Sequence, residues 1–232
     1  MKLFCSFNQD NRDTWVSTQL SKIPQGSRLL DAGAGEQCYR RYCGHLNYVA
    51  QDFGRYDGAG DSKGLHMNKW DYPKDQICCD ILHIPLPDCS FDAILCTEVL
   101  EHLPDPMDVF REFSRLLKPG GRLILTAPFC SLTHFSPYHY YSGFNRSFYQ
   151  HHLPRHGFTI VELSPNGNYF QYLGQEICRL RQASVTYAKR PLGLVSFFFT
   201  LLVLDVLRRL NKHDTSSHEL LCYGYHLLAD KV

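Results

Sequence analysis

The sequence predicts an α/β fold, a parallel sheet covered by helices. Short apolar runs alternate with helical patterns from the start of the chain, which is how a parallel sheet with helical crossovers reads. The first run, "LLDAGAGEQ", ends in a turn carrying two glycines, and "DPMDVFREFSRLLKPGG" is a strongly amphipathic segment set between two strand-like runs.

Five strands follow in order: "RLLDAG" (28–33), "LNYVAQD" (46–52), "DQICCDI" (75–81), "FDAILCTE" (91–98) and "GRLILTAP" (121–128). Between the last two, apolar residues at 109, 110, 113, 116 and 117 share one helical face, and Pro119, Gly120 and Gly121 end the helix. After the fifth strand, residues 129–156 form a loop-rich stretch crowded with aromatics and histidines and free of carboxylates, too long for a simple connector. "GFTIVELSP" (157–165) reads as a sixth strand and "ELLCYGYHLLADK" (219–231) as a seventh. A helical insertion at 166–218 separates them. The whole, 1–232, reads as one domain with insertions.

Twenty-four Lys and Arg against 23 Asp and Glu give a net charge of +1, so the totals carry no broad footprint for nucleic acid. The ten cysteines include no C-x-x-C pair, and "MKLFCSFNQDNRD" turns polar at once, unlike a secretory signal. Reduced cytoplasmic thiols are expected. The longest apolar stretch, "LGLVSFFFTLLVL" (192–204), falls short of the roughly 18 to 20 residues of a spanning helix and is followed by Asp205. Lys189, Arg190, Arg208 and Arg209 bracket it. Residues 190–211 therefore suit a helix lying peripherally on an anionic membrane surface, or one buried against the domain or in a homodimer.

Gly33 and Gly35 let the backbone approach a ligand, and the helix expected after them would offer free N–H groups. A dinucleotide fingerprint would want a third glycine where Cys38 stands, which disfavours a pyrophosphate reader. In "CTEVLEHL" (96–103), Glu98, Glu101 and His102 form E-x-x-E-H. On a helix all three side chains would fall on one face.

D-x-G-x-G after strand one, an acid ending strand two (Asp52), an acid-plus-apolar pair after strand three (Asp80, Ile81) and "LKPGG" before strand five resemble the class I S-adenosylmethionine (SAM)-dependent methyltransferases over roughly residues 25–165. The resemblance implies a seven-stranded Rossmann-like sheet of order 3-2-1-4-5-7-6, its last strand antiparallel, with helices on both faces. It also implies residue roles. Asp31 and the Gly33–Gly35 turn hold the methionine portion of SAM, Asp52 the ribose hydroxyls, Asp80 the adenine amino group, and the Ile81 backbone the ring edge. Thr97, ending strand four, completes the cofactor set.

The E-x-x-E-H string further resembles the metal-binding motif of small-RNA 2′-hydroxyl methyltransferases and of the O-methyltransferases of ubiquinone synthesis. That likeness implies Mg²⁺, Mn²⁺ or Zn²⁺ on Glu98, Glu101 and His102, with His139 or His134 from the loop after strand five. The alternative is that the same residues only cap a helix or wall the cofactor cavity. In 129–156, Tyr138, His139, Tyr140, Tyr141, Phe144, Asn145 and Arg146 offer stacking faces, hydroxyls, an imidazole and a fixed positive charge. Glu98, His139 and Tyr141 are the expected catalytic residues. The expected activity is O-methylation of a small-molecule, lipid-linked or glycan acceptor, against a metal-independent N- or C-methyltransferase or a non-catalytic SAM-binding partner. No separate basic module marks an RNA substrate.

Overall fold

The structure, a computed structural model, describes residues 7–67 and 69–232. Cys5 and the opening of the polar N-terminal stretch lie outside them. Contacts group the chain into two compact units: residues 14–164 with 224–232, and the N-terminal segment through 13 with 165–223. Where the sequence reads as one domain with a helical insertion, that insertion thus belongs to a compact unit of its own.

Seven strands, β1 (Arg28–Ala32), β2 (Asn47–Asp52), β3 (Gln76–Cys78), β4 (Phe91–Thr97), β5 (Leu117–Pro128), β6 (Phe158–Asn166) and β7 (Gly224–Lys231), form one sheet of order β3-β2-β1-β4-β5-β7-β6. β1 through β5 pair in parallel. β7 runs antiparallel to β5, from Arg122↔Asp230 to Pro128↔Gly224. Chain order reverses on either side of β1, between β2 and β4. The carboxyl ends of these strands are the place where open α/β sheets bind ligands.

On one sheet face, Val16 and Leu20 of α1 (Phe7–Leu20) pack with Leu29, Leu95, Ile124 and Leu228. Helix α2 (Pro106–Leu116) packs against β5 and buries Val109, Phe110, Phe113 and Leu116 completely. Each such side chain contributes about 1.5–3 kcal/mol through its removal from water. The helical unit holds α4 (Tyr169–Thr186) packed on α5 (Leu194–Asn211). There the Asn168 side chain accepts from the Gln171 N–H to cap α4 and donates to Asn211.

Several local expectations change. No α-helix follows the glycine turn. Gln37 sits at φ 57°, in the left-handed region that breaks a right-handed helix, and only a 3₁₀ turn, Arg40–Tyr42, forms. The E-x-x-E-H string is not α-helical either. Glu98 takes φ 54°, a 3₁₀ turn covers Leu100–His102, and α2 begins only at Pro106, whose fixed φ suits a first helical position. Helix α2 stops at Leu116, and "LKPGG" enters β5 through a register shift opposite Phe91–Ala93. Within 129–156, Asn145 caps a helix, α3 (Arg146–Arg155), by accepting from the Phe148 N–H. β7 begins at Gly224 because a 3₁₀ turn, Ser217–Glu219, occupies the start of its expected range.

Candidate active site

Five of the expected cofactor residues, Asp31, Gly33, Gly35, Asp52 and Thr97, lie at or just past the carboxyl ends of β1, β2 and β4. Gly33 (φ 73°) donates its N–H to the Gln51 carbonyl at 2.9 Å. A Cβ there would stand 2.5 Å from Val99, and one at Gly35 would stand 2.7 Å from the Trp70 ring. Only glycine fits at either place. Gly35 donates to Asp52 Oδ2 and Gly54 to Asp52 Oδ1, both at 2.9 Å, so backbone N–H groups on either side fix the Asp52 carboxylate. Asp52 is buried, and burial raises its pKa against the opposing pull of these N–H groups and of the Tyr72 hydroxyl.

Asp31 is also buried and accepts a 2.6 Å hydrogen bond from the Tyr48 hydroxyl. Burial lifts its pKa from 3.8 to about 7; the Tyr48 bond opposes this and the charge of Asp52 adds to it. Asp80 is exposed, one oxygen holding the Leu82 N–H, beside buried Ile81. The loop that follows β3 is pinned to α2. Glu112 accepts from the Ile84 N–H at 2.8 Å, and Arg115 binds Glu112 and the carbonyls of Ile84 and Leu86. Thr97 pairs with Thr126 across β4 and β5.

At the end of β4 the metal-like string divides. Glu98 turns toward β5, its N–H donating to the Thr126 carbonyl and its Oε1 accepting from Thr126 Oγ1 at 2.9 Å. Glu101 and His102 instead meet His134 from the loop after β5, their nearest ligand atoms all within 4.8 Å of one another. Glu101 is fully buried, with Oε1 3.8 Å from His102 Nε2 and 3.7 Å from His134 Nε2. These are ion-pair distances, too long for hydrogen bonds. Neither Glu101 oxygen nor His102 Nε2 has a hydrogen-bond partner. The imidazoles are held from behind, where His102 Nδ1 lies 2.6 Å from the Tyr138 carbonyl and His134 Nδ1 lies 2.8 Å from the Leu132 carbonyl. A carbonyl only accepts, so each Nδ1 carries the proton, and a neutral ring keeps its lone pair on Nε2.

Charge on these groups follows from their contact. Burial penalises the Glu101 carboxylate, but His102 and His134 outweigh it and hold its pKa below the usual range. Burial lowers His102, with the neighbouring His134 adding to the effect, whereas Glu101 overcomes burial at His134 and raises it. Glu101 thus favours the charged form of His134, while burial favours the neutral form of His102. His139 packs on His134 and His102, with ring centroids 4.7 Å and 6.0 Å away, and burial and those two rings lower its pKa. Its Nε2 is 3.2 Å from Ser131 Oγ. The Tyr141 hydroxyl is turned elsewhere and donates to the Pro104 carbonyl.

Sequence reasoning missed the segment 53–72. Leu65 pairs with His134, and Phe135 stacks on Tyr56 and His102 and meets Trp70 edge-on, joining this segment to the loop after β5 over the glycine turn. A sequence signal exists in "FGRYDGAGDSKGLHMNKWDY", which carries four aromatic residues at its two ends without helical or strand periodicity. Loop segments of that kind are where binding residues concentrate.

The sheet order, the acids ending β1 and β2 and the glycine turn between them give the fold of the class I SAM-dependent methyltransferases. Residues 30–125 match the family model described as "Methyltransferase domain". It is similar to the ubiquinone biosynthesis O-methyltransferase of Xanthomonas axonopodis pv. citri (strain 306), 57% identical over 113 residues, 48% of this chain and 46% of that protein. It is also similar to the 27-O-demethylrifamycin SV methyltransferase of Amycolatopsis mediterranei (strain S699), 48% identical over 46 residues, 20% of this chain and 17% of that protein. Each match spans less than half of the relative's length. The fold is shared with geranyl diphosphate C-methyltransferase of Streptomyces coelicolor A3(2) at TM-score 0.56 and 14% identity, over 97% of this chain and 79% of that one.

Proposed function

We propose that this protein transfers the methyl group of SAM to a hydroxyl oxygen of a small-molecule, lipid-linked or glycan acceptor. The observation that carries the reading is the Glu101–His102–His134 cluster, in which a buried carboxylate from just beyond β4 meets two half-buried imidazoles. The names of the two curated relatives, both O-methyltransferases of small molecules, support the choice of oxygen.

Methyl transfer needs the donor sulfonium, the methyl carbon and the acceptor oxygen in line, and such alignment supplies up to roughly 7–11 kcal/mol. Asp31, Asp52 and Asp80 would hold the donor. The acceptor hydroxyl must also lose its proton. His102 Nε2 meets the requirement: its ring is neutral, its proton sits on Nδ1 against Tyr138, and no hydrogen bond occupies its lone pair. His139, the base expected from sequence, lies in van der Waals reach of that ring and suits acceptor positioning. Glu98 is engaged with Thr126.

A divalent cation fits the same residues. Two imidazoles steered by Nδ1–H to backbone carbonyls, and a buried carboxylate without a hydrogen-bond partner, make a donor set of Glu101, His102 and His134. With one carboxylate and two nitrogens it suits Mn²⁺ or Zn²⁺ better than Mg²⁺. When bound, the ion would lower the pKa of an acceptor hydroxyl. The nine cysteines of the described residues are free thiols, in keeping with a cytoplasmic enzyme.

The test incubates purified protein with labelled SAM and fractionated hydroxyl-bearing acceptors, with product identification by mass. Labelled methyl on nitrogen or carbon would overturn the reading. A chelator arm separates the two modes of activation. Lost turnover that Mn²⁺ restores in wild type but not in Glu101→Gln assigns the cation. Full turnover in chelator assigns His102 alone.

A further inference from the structure

We infer that the outer face of α5 is a docking surface for an anionic lipid bilayer, on which the helix lies flat. Leu194, Val195, Phe198, Phe199, Leu202, Val203, Val206 and Leu210 are all exposed, and Leu207 is the one buried residue of the helix. At 100° per residue these eight fall within one half of the helical circumference, an apolar stripe facing outward that Asp205 and Arg209 join near its C-terminal end. A helix that serves only its own fold buries one apolar stripe and turns its polar side to water. Here Phe197, Leu201, Leu204 and Leu207 already form a half-buried to buried face, and the outward stripe is a second one, with Phe198 and Phe199 at 59% and 60% exposure. A contiguous apolar patch of this kind marks an interaction surface.

Charge decides what covers it. Residues 176–214 carry Arg179, Arg181, Lys189, Arg190, Arg208, Arg209 and Lys212 against Glu176, Asp205 and Asp214, Glu176 lying 3.7 Å from Arg179, whereas the whole chain is nearly neutral at +1. Asp205 is shared by two guanidinium groups, 2.5 Å from Arg208 and 2.7 Å from Arg209, and so offsets only one of them. Basic residues therefore stand at both ends of the apolar stripe. A second copy placed on this face would bring two such basic sets together, whichever way the helices ran. An anionic bilayer gives both parts of the surface a partner: headgroups for the Lys and Arg side chains, and the acyl boundary for the Phe, Leu and Val side chains. None of the helices in the described residues is long and apolar enough to cross a membrane. With 18 residues, about 27 Å of helix, α5 lies along the interface.

This inference rests on α5 and its flanks alone and holds whichever acceptor the enzyme uses. The test is flotation of the full-length protein with vesicles of phosphatidylcholine containing about one third phosphatidylglycerol, and with phosphatidylcholine alone. The expected result is flotation with the anionic vesicles at least tenfold above the neutral ones, weakened by salt as charge screening requires. Phe198→Ser with Phe199→Ser should reduce partitioning at least tenfold while leaving the melting temperature unchanged, since both rings are exposed. Lys189→Ser with Arg190→Ser, which alters no apolar contact, should reduce it several-fold at low salt only. Failure of the wild-type protein to float with anionic vesicles would overturn the inference. So would a stable dimer in sedimentation that the Phe198 and Phe199 substitutions dissociate, because the face would then belong to a second copy.

Discussion

Replacing Asp31 with Asn tests the electrostatics of the cofactor cleft most directly. In the unliganded fold the Asp31 carboxyl is buried, its pKa raised from 3.8 to about 7. Between those values the folded state holds a proton that the unfolded chain has released. Stability therefore falls as pH rises from about 4 to 7 and is flat above that, the loss being complete once the folded group ionises. A rise of about three units at ~1.4 kcal/mol each sets a ceiling of about 4 kcal/mol. Asn is nearly isosteric, and its carbonyl can still accept from the Tyr48 hydroxyl, so the variant removes the titration and keeps the bond. Urea denaturation at pH 5 and pH 8 should show Asp31→Asn gaining on wild type by up to about 3 kcal/mol between the two, the rest of the ceiling lying below pH 5. Binding of S-adenosylhomocysteine, whose ammonium would favour the charged carboxylate, should release a proton near pH 6 in wild type only, as calorimetry in two buffers would detect. Parallel pH–stability curves for the two proteins would refute the assignment of a buried, proton-holding Asp31.

Asp52→Ala removes the acceptor of both the Gly35 and Gly54 N–H groups and the ribose contacts expected of it. At about 1.5–3 kcal/mol per charged hydrogen bond, SAM affinity measured by calorimetry should fall at least tenfold. Gly35→Ala forces a Cβ against Trp70 at φ 51°, and a lowered melting temperature together with weakened SAM binding is expected. Phe113→Ala empties a fully buried site on α2 and should cost about 3–5 kcal/mol in chemical denaturation. NAD should give no heat of binding where SAM does, and tight NAD binding without SAM binding would contradict the cofactor assignment.

The alternation of apolar runs was enough, by itself, to place the strands of the sheet's centre, because β1, β4 and β5 are buried along most of their length and read as short hydrophobic blocks between turns, whereas the edge strand β3 has no buried residue. The geometry of the glycine turn was equally legible: D-x-G-x-G and Asp52 are joined by backbone hydrogen bonds, and such local geometry is written in nearby residues. The acid–histidine cluster was only half legible. E-x-x-E-H named Glu101 and His102, yet it grouped Glu98 with them on a helical face that does not exist, since the φ 54° of Glu98 turns its side chain to Thr126. The third member, His134, which the sequence named only as an alternative to His139, lies beyond β5 and is brought in by backbone pairing with Leu65 and by the Tyr140 and Tyr141 N–H groups, which donate to the Glu101 carbonyl. Such long-range pairings leave no periodic trace in sequence. The same holds for Trp70 over Gly35 and for the face of α5. Apolar content showed that residues 190–211 need an apolar surrounding, but only tertiary packing decided that the fold leaves most of that need unmet and turns the stripe outward.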